Sequence, residues 1–73
     1  MTTKDVRKAG RLTATKLGTD ETFTIIRLRH PGSVRWHGYQ HGTGLDGWVG
    51  SFSSLNAAVA WIERNTGRHL AEV

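Results

Sequence analysis

Between Thr22 and Gln40, two runs rich in β-branched and aromatic residues flank His30-Pro31-Gly32-Ser33, where Pro and Gly fill the central positions of a type II turn. A hairpin is expected here, with strand Thr22–Arg29 returning as Val34–Gln40. Successive side chains of a strand point to opposite faces. By this count Ile26, Leu28, Val34 and Trp36 share a core-facing side, and Arg27, Arg29, Arg35, His37 and Tyr39 share the other. Phe23 and Ile25 fall on the basic side by the same count. Either a bulge shifts the register, or part of that face is apolar.

Turn chemistry divides the rest of the chain. Arg11–Leu17 alternates loosely as a weaker strand, and Gly18-Thr19-Asp20-Glu21 reads as a turn. A glycine-rich loop is expected from Gly42 to Gly47, then a strand Trp48–Phe52 with Trp48, Gly50 and Phe52 facing one way. Asp46-Gly47 could instead form a type I′ turn that extends both flanking strands. Ser54 is placed to cap a helix in which Leu55, Ala58, Val59 and Ile62 recur at helical spacing, and Gly67 ends it. The fold class expected is α+β: a three- to four-stranded antiparallel sheet with one C-terminal helix on one face. That helix should cover Ile26, Leu28, Trp36 and Phe52, with Trp61 at its flank. Residues 1–10 read as a basic flexible leader and 11–73 as a single small domain.

With 73 residues the chain buries only about 60% of the surface it exposes when unfolded. There is no cysteine, so neither a disulfide nor a thiolate metal site supplements the core, and aromatic side chains must fill it. Trp36 and Trp61 are expected inside. Trp48, between glycines and next to a loop, reads equally as core filler or as an anchor for a partner. No apolar run reaches the roughly 18 to 20 residues of a membrane span, and Met1–Thr15 lacks the apolar centre of a secretory signal. A cytoplasmic protein with no membrane partner is expected; the lack of cysteine fits a reducing compartment.

Ten Lys and Arg against six Asp and Glu give a formal charge of +4. Lys4, Arg7, Lys8, Arg11 and Lys16 crowd the beginning of the chain, and no carboxylate falls between Thr22 and Leu45. Such asymmetry favours anionic partners, nucleic acid first. A basic leader that only aids solubility is the plainer alternative.

Catalytic patterns do not hold together. Gly42-Thr43-Gly44-Leu45-Asp46-Gly47 satisfies G-x-G-x-x-G, but it leads into a strand, whereas a dinucleotide fingerprint opens a helix whose amino end meets the pyrophosphate. His37 and His41 lie about 13 Å apart along a strand, too far to chelate one ion unaided. Ser51, Ser53 and Ser54 sit at a strand end and helix cap, where hydroxyls serve the backbone. The carboxylates Asp46, Glu63 and Glu72 are scattered. Neither an enzyme, a cofactor nor a metal site is expected.

Gly50-Ser51-Phe52-Ser53-Ser54, then Ala58 and Trp61-Ile62, resembles the strand-to-helix passage of the amino-terminal arm-type, AP2-like DNA-binding domains of tyrosine recombinases. Such domains lay a three-stranded antiparallel sheet into the DNA major groove with a helix packed behind it. The resemblance implies that Phe52 and Trp61 are core, that Ser54 is the cap, and that Arg27, Arg29, Arg35, His37 and Tyr39 lie nearest DNA. It covers about a third of the chain. Departures from the pattern are the absence of a catalytic domain, Ala57 where Glu would complete a capping box, and a long loop poor in basic residues.

Two functional classes follow. In one, a small protein binds DNA or RNA through Arg27, Arg29 and Arg35, with His37 and Tyr39 adding hydrogen bonds or stacking and Lys4, Arg7 and Lys8 reaching along the backbone. In the other, a protein-binding module of the kind carried by phages, plasmids and other mobile genetic elements inhibits or regulates a host protein complex, anchored by Trp36, Tyr39 and Trp48. An open sheet edge also allows a homodimer.

Overall fold

In a computed structural model, residues 3–42 and 47–68 are described, apart from the side chains of Thr3, Lys4 and His30. Helix α1 (Thr3–Ala9) precedes strands β1 (Arg11–Thr15), β2 (Thr22–His30), β3 (Ser33–His41) and β4 (Gly47–Phe52), and helix α2 (Leu55–Thr66) follows. The strands form one antiparallel sheet in the order β1-β2-β3-β4. The α+β expectation of a sheet with a C-terminal helix packed on it is met. Of the expected Gly42–Gly47 loop, residues 43–46 lie outside the described residues.

The register of the hairpin differs from the expected one, and turn length is the reason. Pro31 and Gly32 alone connect β2 to β3, with Gly32 at φ 80, so His30 pairs with Ser33, Leu28 with Arg35 and Ile26 with His37. Paired residues share a face, and each pair joins an even number to an odd one. The even positions of β2 therefore lie beside the odd positions of β3. Phe23, Ile25, Arg27 and Arg29 face the helices, together with Leu12, Ala14, Val34 and Trp36. Ile26 and Leu28 lie on the opposite, open face with Arg35, His37 and Tyr39.

Helix α2 covers the first of these faces. Leu55, Ala58, Val59 and Ile62 are buried against Leu12, Ala14, Phe23, Ile25 and Trp36, each large aliphatic contributing about 1.5–3 kcal/mol by leaving water. Ser54 caps the helix as expected, its Oγ accepting from the Ala57 amide at 3.2 Å. Gly67, at φ 76, closes it in the left-handed conformation while its amide donates to the Glu63 carbonyl at 2.9 Å. Trp61 is half-buried, with ring centroids 5.6 Å from Phe23 and 5.5 Å from Phe52. It rests over Gly38, where a Cβ would come within 3.0 Å of Trp61 Cζ3.

Residues Thr3–Ala9 form a helix rather than a flexible leader. Val6 is 1% exposed and belongs to the same core. Asp5 in the first turn and Arg7 and Lys8 in the last complement the helix dipole. Gly10, at φ 73, stops the helix as its amide donates to the Val6 carbonyl at 2.8 Å. A helix of 7 residues has little stability alone, so this packing is what makes it helical.

Candidate nucleic-acid interface

One face of the sheet is covered by neither helix. Cross-strand rows on it read Leu28–Arg35, then Arg11–Ile26–His37–Ser51, then Thr13–Thr24–Tyr39–Trp48, then Thr15–Thr22–His41. Thr13 and Thr24 join their hydroxyls across the strands at 2.9 Å.

Trp48 reaches this face through an irregularity. Gly38 pairs with Gly50 but Tyr39 pairs with Trp48, which leaves Val49 as an extra residue in β4. Such a β-bulge breaks the alternation. Trp48 was expected beside Gly50 and Phe52; instead it shares the open face with Tyr39. Trp48 is 60% exposed. The indole Nε1 donates to His37 Nδ1 at 3.0 Å, the rings lying 6.3 Å apart and tilted by 48°. An Nδ1 that accepts places the imidazole proton on Nε2. A large ring is thereby held out from the sheet in a fixed direction, beside Tyr39 and in line with Arg35 about 13 Å farther along β3.

The three arginines expected to act together are divided. Arg35 and His37 lie on the open face with Tyr39, while Arg27 and Arg29 point to the helix side. Strand pleat and the two-residue turn force this separation, so a sheet face carrying Arg27, Arg29 and Arg35 together does not exist. Arg27 has a structural role: its Nη1 donates to the Arg7 carbonyl oxygen at 2.6 Å. Trp36, a candidate partner anchor, is buried and unavailable for that purpose. Arg7 and Lys8 are exposed on α1. The side chain of Lys4 lies outside the described residues.

The arginines do converge on one end of the molecule. Arg11 opens β1, Arg27 and Arg29 lie near the end of β2, Arg35 lies near the start of β3, and Arg7 lies near the end of α1. The charges thus form a collar around that end of the sheet rather than a layer on one face. Arg11 was the sequence's missed contributor to the open face; its pairing with Ile26 required the β1–β2 register. Among the described residues, no helix is long and apolar enough to cross a membrane.

Compared with protein-family models, curated proteins and solved structures, the chain matches none.

Proposed function

We propose that this is a small nucleic-acid-binding protein that uses the open sheet face, and that it prefers unpaired strands. The observation that carries the reading is the exposed, hydrogen-bonded indole of Trp48 beside Tyr39 and His37, with Arg35 and Arg11 on the same face. Stacking on such a ring needs the flat surface of a base, which a duplex hides between its neighbours. Arg35 and Arg11 are then placed for phosphates, where a planar guanidinium forms paired hydrogen bonds. The function is binding, not catalysis. It differs from a major-groove mode in which a layer of arginines leads the contact.

A labelled single-stranded oligonucleotide, titrated at several salt concentrations beside the same sequence as duplex, tests this. Single strands are expected to bind more tightly, with log affinity falling linearly as log salt rises. Replacing Arg11 and Arg35 by alanine should flatten that slope. Equal binding by both forms, or none at low salt, overturns the reading.

A protein-binding module is the second reading, favoured by Leu28, 37% exposed, sharing the uncovered face with Trp48. The same ring would then fill a pocket on a partner, and the titration would show no nucleic-acid binding.

A further inference from the structure

On the helix side, at the arginine-rich end, Arg7, Arg27 and Arg29 line one groove together with Val34, Ser53 and Ser54. Its volume is about 390 Å³, within the range of small-ligand sites. No carboxylate of the described residues lines it. Three arginines bordering one space favour an anion within it. The groove is also partly organised in advance, since Arg27 is held by its bond to the Arg7 carbonyl and its guanidinium lies over Gly10. Arg29, on β2, and Arg7, on α1, are both exposed. Ser53 and Ser54 add hydroxyls where α2 begins, and the backbone amides of that first turn favour negative charge.

We infer that this groove is a binding site for a phosphate monoester, separate from the open sheet face. Arginine forks match tetrahedral phosphate oxygens, and a dianion answers several guanidiniums at once. The space exceeds what a lone phosphate fills, and exposed Val34, backed by the edges of the buried Trp36 and Leu55, gives it an apolar side for the group that the phosphate carries. A nucleotide and the phosphorylated end of a nucleic-acid strand offer the same chemistry.

Calorimetry and amide chemical-shift mapping with inorganic phosphate, then with a nucleoside 5′-monophosphate, test the site on the full chain. Saturable binding is expected, with shifts at Arg29, Ser54 and Leu55 and tighter binding of the nucleotide. The side chains of Arg7 and Arg29 can be removed without touching the Arg27 bond, which uses the Arg7 backbone. R7A and R29A should each weaken binding about tenfold or more, while R64A, which removes an exposed charge from α2, should not. Absence of phosphate binding, or equal losses in R29A and R64A, overturns the site. Oligonucleotides with and without a 5′-phosphate then separate the sources: preference for the phosphorylated strand assigns a strand end, and equal affinity with retained mononucleotide binding assigns a free nucleotide. W48A should leave phosphate binding intact, so failure of the sheet-face reading and failure of the groove are distinguishable.

Discussion

Arg27 Nη1 donates to the carbonyl oxygen of Arg7, twenty residues earlier, at 2.6 Å. A strand side chain thus closes the carboxyl end of α1, whose last carbonyls have no partners within the helix. The Arg27 amide reinforces the junction by donating to the Gly10 carbonyl at 2.9 Å. R27A is expected to lower stability by about 1 to 2 kcal/mol and to speed hydrogen exchange at Gly10. Urea denaturation and exchange measured on the same variant check this. A change confined to nucleic-acid affinity would contradict the role.

Val6 contributes the only buried side chain of α1 among the described residues. V6A should cost about 1 to 3 kcal/mol through lost burial and an unfilled space. V6D should release α1 from the sheet, because the carboxylate would have to enter an apolar core. Circular dichroism is expected to show a loss of about two helical turns, with the strands retained. Unchanged helicity in V6D would refute the docking.

Gly38 lies where the rings of Trp61 and Phe52 approach the sheet, and a Cβ there would come within 3.0 Å of one and 3.1 Å of the other. G38A should destabilise the fold by about 1 to 3 kcal/mol through overpacking. W61L relieves the contact, so the double variant should lose less than the two single losses added together. Additive denaturation energies would mean that the rings move aside freely.

The Trp48–His37 bond separates binding from stability. W48A is expected to lose about 1 to 3 kcal/mol of single-strand affinity and to change the urea midpoint little, since the ring is largely in solvent. H37F, which keeps a ring but removes the Nδ1 acceptor, should give an intermediate loss and a broader distribution of Trp48 orientations. Equal affinity across wild type, W48A and H37F would exclude the ring as a contact.

Local chemistry made much of the architecture readable. Pro31-Gly32 marked the hairpin, Ser54 and Gly67 marked the limits of α2, and the Leu55, Ala58, Val59, Ile62 spacing marked its buried stripe. What failed was the relation between strands. Treating β2 and β3 as if their even positions were equivalent placed Ile26 and Leu28 inside. The two-residue turn, already visible in the sequence, fixes the opposite parity. Phe23 and Ile25, apolar on the side taken as basic, were the signal of that error.

Two other features had no comparable local signature. Helix α1 depends on one apolar residue, Val6, whose burial is decided by sheet and helix packing rather than by periodicity. The bulge at Val49 lacks a glycine or proline of its own, and without it alternation places Trp48 with Phe52. The arginine groove was hidden for a related reason, since Arg7 and the Arg27–Arg29 pair meet only after the chain has folded back.

Whether Val49 is bulged out or paired, rather than any change of residue type, selects the side of the sheet that receives the indole. Drawing Val49 into the regular ladder opposite Tyr39 would turn Trp48 to the side of Gly50 and Phe52, where α2 lies, whereas excising Val49 would remove the bulge and keep Trp48 opposite Tyr39. A slip of one position in the pairing, with no new chemistry, is therefore sufficient to convert a displayed tryptophan into an interior one.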